Sequence, residues 1–519
     1  MRNNFIKALF TGNTFTENGA KSNTSTGSPT LDYFSKAGTY RDRTLEEVFA
    51  DISMLWDENP RDAMKVIFYN RMVSRKSIGF ANTEKAQAGQ GNKDEFRKSI
   101  IWIARYYPQV LNQNLWMIPL VGCWKDLWHE DLLNELDSTA VYQLIQKGID
   151  CDYNSNLVAK YLPRIRSKSN VYNERHTTLN QFGFGLIKFL KWTPTQYRKF
   201  KASGEAHEFQ QLLSKGLFNH VDFNSIPGKA LFQLVNRTGR DGKTTIERHG
   251  LETQYINWIK DQPIAKFTGY VYELMQTVNT SMTIAQKYTV DKQFEGLLKL
   301  ANDNGAIQEN VWCALDTSGS MTASVADTTA YDICLSLGVY FSSLNQGSFQ
   351  NQVIMFDNVS KVKQLSGSFS DKVMQIRNEN TAWGSTNFQS VINEIVRIRL
   401  ENPNIPLEDY PATLLVVSDM QFNPVRGNTR TNYRRAMEKL ASIGLPNMKI
   451  VWWWVTGRAK DFPSNLDDEG VTMIGGFDGS ILSLLLNEEV KEKSDKVRNG
   501  PLEAMHKALN QEVLELIQV

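Results

Sequence analysis

The 519-residue sequence predicts two fold classes in series: an α-helical front half, and an α/β back half built on a parallel sheet with helices on both faces. Three observations carry this. Up to about residue 300, apolar residues recur mostly at helical spacing and are punctuated by Pro and polar loops. After residue 310, short apolar runs rich in β-branched and aromatic residues alternate with helical stretches. The first of those runs, "VWCALD", stops abruptly in "TSGS", so a buried strand leads straight into a loop crowded with side-chain oxygens.

In chain order, residues 11–30 ("TGNTFTENGAKSNTSTGSPT") are polar and rich in Gly, Ser, Thr and Asn, and residues 1–30 are expected to form a flexible N-terminal arm. Residues 31–300 form the helical domain. "TLEEVFADISMLWDENP" opens on a Thr cap before acidic residues and places Val48, Ile52 and Leu55 on one face. "PRDAMKVIFYNRMVSR" restarts at a proline, and "KDEFRKSIIWIARYYP" ends at one. "LFQLVNRTGR" and "YVYELMQTVN" are further short helices. Helix pairs of irregular length without a strict repeat suit an α-solenoid of the HEAT type. Residues 310–485 form the α/β domain, with strands "VWCALD", "NQVIMFD", "ATLLVVSD", "KIVWWWVTG" and "VTMIGG". The three consecutive tryptophans, Trp452, Trp453 and Trp454, read as core on a central strand. Residues 486–519 read as a helical tail.

Composition narrows the function little. The chain is 41% hydrophobic and 22% charged with a formal net charge of +2, so any basic surface must come from local segregation. The four cysteines, Cys123, Cys151, Cys313 and Cys334, form no C-x-x-C pair and read as buried reduced thiols. No apolar run reaches the length of a membrane span, and "NNFIKALFTGNTF" breaks off too soon to offer the continuous apolar stretch expected of a signal sequence. A cytoplasmic protein without a membrane partner is expected.

In an open parallel sheet, ligands bind beyond the carboxyl ends of the strands. Three such places carry oxygens here: Asp316, Ser318 and Ser320 after the first strand, Thr386 in "WGSTNFQS", and Asp419 at the end of "LLVVSDM". Hard divalent cations take oxygen ligands, so the cluster suits Mg²⁺, or alternatively Mn²⁺ or Ca²⁺, with a coordination position left for an outside ligand. The competing reading is a set of helix N-caps with no metal, since Asp and Ser favour helix starts. The order of the residues and their flanking strands favour the metal.

The spacing D-x-S-x-S, then Thr, then Asp after an apolar strand resembles the metal-ion-dependent adhesion site of von Willebrand factor A (vWA) domains, with all five positions matched. The resemblance implies direct metal ligation by the two serines and Thr386, and ligation by Asp316 and Asp419 directly or through water. "TLDYFSKAGTYRD", "DENPRDAMKVIFYNR", "LNQNLWMIPLVGCWKDLW" and "VVSDMQF" resemble a family of unknown function that joins a helical domain to a vWA domain. Its architecture is similar to that of the Ro autoantigen, whose TROVE domain is an RNA-binding ring of HEAT-like helices. The resemblance spans roughly residues 30–485 and weakens between 165 and 300.

It implies a non-enzymatic protein that binds structured or single-stranded RNA, with a metal site for an Asp or Glu of a protein ligand. RNA binding requires basic groups for phosphates and aromatic faces for bases. The candidates are Arg71, Arg75 and Lys76; Arg164, Arg166, Lys168 and Tyr172; and Lys191, Tyr197, Arg198, Lys199 and Lys201. Such clusters are usually solvated helix faces. A metal-dependent interaction scaffold without RNA is the alternative, and a metal-dependent hydrolase is disfavoured because the cluster offers no obvious general base. "GRDGKTT" (239–245) is no phosphate-binding loop, because Arg237 stands where that motif needs Gly.

Overall fold

The computed structural model describes residues 12–73, 88–166, 173–204, 208–303, 310–379, 383–425, 430–479, 481 and 500–519. The chain is helical up to residue 303 apart from an N-terminal hairpin, and then forms a mixed sheet with helices. It divides into two compact units.

Arg43–Asp222 with Gln511–Val519 is one unit, and its described residues hold no strand. Thr44 and Glu47 close a capping box at the start of the helix Leu45–Glu58, which buries Val48, Ile52, Leu55 and Trp56 on one stripe. Asn59 then caps the helix Pro60–Arg71, with Pro at its first position, where the missing N–H costs nothing. Lys93–Tyr106 packs on both of these helices. The "GCWKDL" stretch forms a tight corner around a buried ion pair. Asp126, fully buried, accepts from Arg71 Nε at 2.8 Å and from Arg97 Nη2 at 2.7 Å. A Cβ on Gly122 would collide with Asp126 and Arg71, so this corner requires glycine.

The other unit is Met1–Asp42 with Phe223–Asn510. It contains the hairpin β1 (Asn13–Phe15) and β2 (Lys21–Asn23), the strand β3 (Val311–Asp316), and a small hairpin β4 (Ser324–Val325) and β5 (Thr328–Thr329). β6 (Gln352–Phe356), β7 (Ser360–Gln364), β8 (Thr413–Ser418), β9 (Lys449–Trp454) and β10 (Val471–Gly475) follow. The main sheet has the order β10-β9-β8-β3-β6-β7. All its pairings are parallel except β6 with β7, which is antiparallel. Every residue of β3 and β8 is buried, as expected of strands covered on both faces. Trp452, Trp453 and Trp454 are fully buried on β9, and Trp452 Nε1 and Trp453 Nε1 donate to Ser464 Oγ and Gly476 O. The helix Ala330–Leu344 is apolar nearly all round and packs on β3 and β8, with Val271–Thr277 outside it.

Three expectations are corrected. The sheet is mixed rather than parallel, because "SKVKQ" forms β7; its polar alternation belongs to an edge strand with lysines, not to a buried one. The described part of the 1–30 arm is ordered: β1 and β2 pair, and Ser25–Thr30 are buried. Its hydroxyls and amides bond to loops of the sheet unit, as in Ser22 Oγ to Asp461 Oδ2 at 2.5 Å, so a polar composition here satisfies backbone rather than water. The boundaries at 31–300 and 310–485 are not where the compact units divide, because helices from Gly228 to Asp303 pack into the sheet unit. The described part of the 486–519 tail is helical as read, with helices Pro501–Leu509 and Glu512–Glu515 falling in different units.

Candidate metal centre

The five oxygen-bearing residues meet at the carboxyl end of β3 and β8, where the chain turns from β3 to one side and later returns on the other. Asp316 ends β3 and is fully buried. Its Oδ1 accepts the Ser318 N–H at 2.9 Å and its Oδ2 accepts Ser418 Oγ at 2.5 Å. Ser318 stands at the N-cap of the turn Gly319–Thr322, yet its side chain caps no N–H. Instead its hydroxyl lies 3.2 Å from Ser320 Oγ and accepts from Thr386 Oγ1 at 3.0 Å. The helix-cap alternative is therefore not realised at Ser318.

Backbone bonds clamp the three loops together. Gly319 N donates to Gly384 O at 3.1 Å, and Asn423 N donates to Thr386 O at 2.8 Å. A Cβ on Gly319 would come within 3.1 Å of Trp383 O, so the first two loops could not close equally tightly around a larger residue. Asp419 follows β8, and its Oδ1 accepts Gln421 N at 3.1 Å. Met420 adopts φ 64°, and its N–H is held by Ser418 Oγ at 2.8 Å. Asp316, Ser318, Thr386 and Asp419 are buried, whereas Ser320 is exposed, so the cluster opens to solvent at Ser320.

Burial pushes the Asp316 carboxyl above the ordinary aspartate range, and the charge of Asp419 adds to this against the bonds from Ser318 and Ser418. Burial raises Asp419 as well; a bond from Ser320 opposes the rise and the charge of Glu17 adds to it. Both of these charges, on Asp419 and Glu17, favour the protonated carboxyl. Two carboxylates and three hydroxyls within one loop cluster are a hard-oxygen donor set that a divalent cation would neutralise. Among the described residues, no three His, Cys, Asp or Glu side chains converge, so any metal here would rely on hydroxyl ligands.

Several neighbours escaped the sequence reading. Ser418 and Gln421 brace the two aspartates, and their only signal was adjacency to Asp419. Trp383, 45% exposed at φ 50°, lies beside the loops with its ring 4.9 Å from that of Tyr331.

The basic candidates fare unevenly. Arg71 is corrected: it is buried in the Asp126 pair and presents no charge to a ligand, because the helix face it shares is the packed one. Arg75, Lys76, Lys168 and Tyr172 lie outside the described residues. Tyr197 and Lys201 are buried, bonding Pro163 O at 2.7 Å and Lys160 O at 3.3 Å. Arg164, Arg166, Lys191, Arg198 and Lys199 are exposed. The "GRDGKTT" stretch is a tight turn in which Arg248 pairs with Asp241 and Thr244 caps a short helix.

Residues 310–515 match a domain of unknown function (DUF7788), and residues 16–134 match another domain of unknown function (DUF2828). The first match begins at the residue before β3 and spans all five oxygen-bearing positions; the second begins in the turn between β1 and β2. The chain is also similar to an uncharacterized protein of Acanthamoeba polyphaga mimivirus. They are 25% identical over 522 residues, an alignment covering 92% of this chain and 85% of that protein. No described helix is long and apolar enough to cross a membrane.

Proposed function

We propose that this is a non-enzymatic binding protein of the Ro-like kind, in which a vWA-like sheet unit binds an acidic group of a partner through a divalent cation. The observation that supports this reading is the convergence of Asp316, Ser318, Ser320, Thr386 and Asp419 from three separate loops at the mouth of a sheet. Ser318, Ser320 and Thr386 would hold Mg²⁺, Mn²⁺ or Ca²⁺ with the two aspartates behind them. The cation would supply positive charge for a carboxylate arriving at the exposed Ser320 side. The aspartates are engaged by Ser418, Ser318, Ser320 and Gln421, an arrangement that suits holding a ligand rather than abstracting a proton.

RNA binding by the HEAT-like helical unit is the second half of the proposal. It rests on Arg164, Arg166, Arg198 and Lys199, which are exposed on adjoining segments tied together by the buried Tyr197–Pro163 bond. A metal-dependent scaffold that binds no RNA is the competing reading.

Calorimetry with Mg²⁺ and Mn²⁺ on the wild type and on Asp316→Ala tests the first half. Binding to the wild type that falls about 100-fold or more in the variant is expected, as for loss of a charged ligand. Equal affinity of the two proteins would remove the assignment. Filter binding of structured and single-stranded RNA at low and high salt tests the second half, and absence of binding at low salt favours the scaffold.

A further inference from the structure

Where the helix Leu45–Glu58 packs on Lys93–Tyr106, an open cleft of about 430 Å³ remains, lined by Phe49, Ala50, Ser53, Trp102, Tyr106 and Tyr107. Four of these six are aromatic, and Tyr106 and Tyr107 are 56% and 37% exposed, so large rings stand in water. Their planes are set at angles: 78° between Phe49 and Tyr106, 45° between Trp102 and Tyr106, and 39° between Trp102 and Tyr107. Rings arranged so form walls rather than one stack that covers its own faces. Trp56, buried behind them, stacks on Tyr107 at 4.3 Å and fixes that ring before any ligand arrives.

The charge around the cleft has one sign. The helix Leu45–Glu58 carries five acidic residues and no Lys or Arg. Glu47 closes the capping box, and Asp51 pairs with Arg43 at 2.7 Å. Glu46 stands one turn before Ala50, and Asp57 one turn after Ser53, so both share the helix face that lines the cleft. Both are exposed, and among the described residues neither is joined in an ion pair. The face of an aromatic ring attracts a cation, and nearby carboxylates add to that preference. One cation already uses this wall: the Arg105 guanidinium lies 5.5 Å from the Phe49 centroid, its charge balanced by Glu135 at 2.8 Å. A nucleotide could also stack here, but its phosphates would meet Glu46 and Asp57, so charge favours a cationic occupant.

We propose that this cleft binds a basic side chain from an arginine- or lysine-rich segment of a partner protein, with Phe49, Tyr106 and Tyr107 offering ring faces and Glu46 and Asp57 the countercharge. The site is separate from the oxygen cluster and from the Arg164–Lys199 surface, and it stands whether or not those bind metal or RNA. Its ligand is opposite in sign to the acidic groups and phosphates proposed for them, so the helical unit has a second, cation-selective face.

The test titrates the full chain into a fluorescein-labelled peptide of alternating Gly and Arg, read by anisotropy at low and high salt. The wild type should bind. Tyr106→Ala, at a side chain more than half in water, should weaken binding about 10-fold with the melting temperature unchanged, whereas Tyr106→Phe, which keeps the ring face, should bind as the wild type does. Glu46→Gln combined with Asp57→Asn should also weaken binding about 10-fold and flatten its salt dependence. Equal binding by wild type and Tyr106→Ala would mean a general attraction to acidic surface and would overturn the proposal. So would a loss in Tyr106→Phe as large as in Tyr106→Ala, which would assign the contact to the hydroxyl. A wild type that ignores the peptide also overturns it, and labelled oligouridylate weakened by Tyr106→Ala would then give the cleft to a nucleobase.

Discussion

The oxygen cluster and the basic clusters looked alike as sequence: each was a handful of functional residue types at suggestive spacing. In the structure they part. All five oxygen-bearing residues converge, Thr386 and Ser318 to within 3.0 Å across 68 positions of chain. Of the basic candidates, Arg71 and Lys201 are buried, while Arg164, Arg166, Arg198 and Lys199 face solvent. The difference lies in what aims each group. A residue just past a buried parallel strand is carried to one edge of the sheet by the strand itself. A long basic side chain on a helix is aimed by whichever face packs, and a neighbouring carboxylate can draw it inward.

That contrast can be broken or sharpened by four measurements. The largest effect is expected at the residue that changed role. Arg71→Ala leaves Asp126 buried with Arg97 as its remaining cation, and should lower the stability of the helical unit by about 3 kcal/mol in chemical denaturation. A loss below about 0.5 kcal/mol would return Arg71 to the surface candidates. Next comes the joint replacement of Arg164, Arg166, Arg198 and Lys199 by Ala. Stability should stay within about 0.5 kcal/mol, since all four are exposed. RNA affinity at low salt should drop about 100-fold, and the plot of log affinity against log salt should flatten by about 3, as fewer counterions are released. An unaltered slope excludes this surface.

A smaller effect is expected at Thr386→Val, which keeps the shape of the side chain and removes only the hydroxyl. Mg²⁺ affinity should fall about 10-fold, or about 1.4 kcal/mol, with the melting temperature in chelator little changed. The last prediction concerns pH. Both aspartates are raised in the folded state, so they are favoured protonated there. Their contribution to stability is full below about pH 4 and is lost as pH rises through the raised folded values. Metal-free protein should therefore lose on the order of 1 kcal/mol as pH climbs above the ordinary aspartate range. Mg²⁺ should cancel that loss. Melting curves in chelator and in Mg²⁺ across this range give the answer, and parallel pH profiles would mean the pair is not where the cation acts.

Much of the helical unit's first stretch was legible because its signals are local. The Thr44 cap, the Val48–Ile52–Leu55 stripe and the helix start at Pro60 all appear as read. The buried tryptophans of β9 were equally plain, since three consecutive large apolar residues suit only a strand covered on both faces. The edge strand β7 was missed because half-exposed strands carry lysine and serine, and that pattern does not separate from loop. The N-terminal turn was misread for a related reason: Ser, Thr, Asn and Gly are the residues of disordered arms and equally those that hydrogen-bond to another loop's backbone.

What could be known from residues alone was therefore the order of the five apolar strands along the chain, the five oxygen-bearing positions at their ends, and the apolar stripes that must be covered. Those follow from periodicity and from the abrupt ends of apolar runs, which are properties of neighbours in the chain. Folding decided which loops clamp together, that Ser418 would brace Asp316 from 102 positions away, that Arg71 would turn inward to Asp126, and that Gln421 would hold the Glu17 N–H from 404 positions away. Each of these depends on a partner distant in sequence, and a charge or hydroxyl carries no mark of its partner until packing removes water and makes the pairing obligatory.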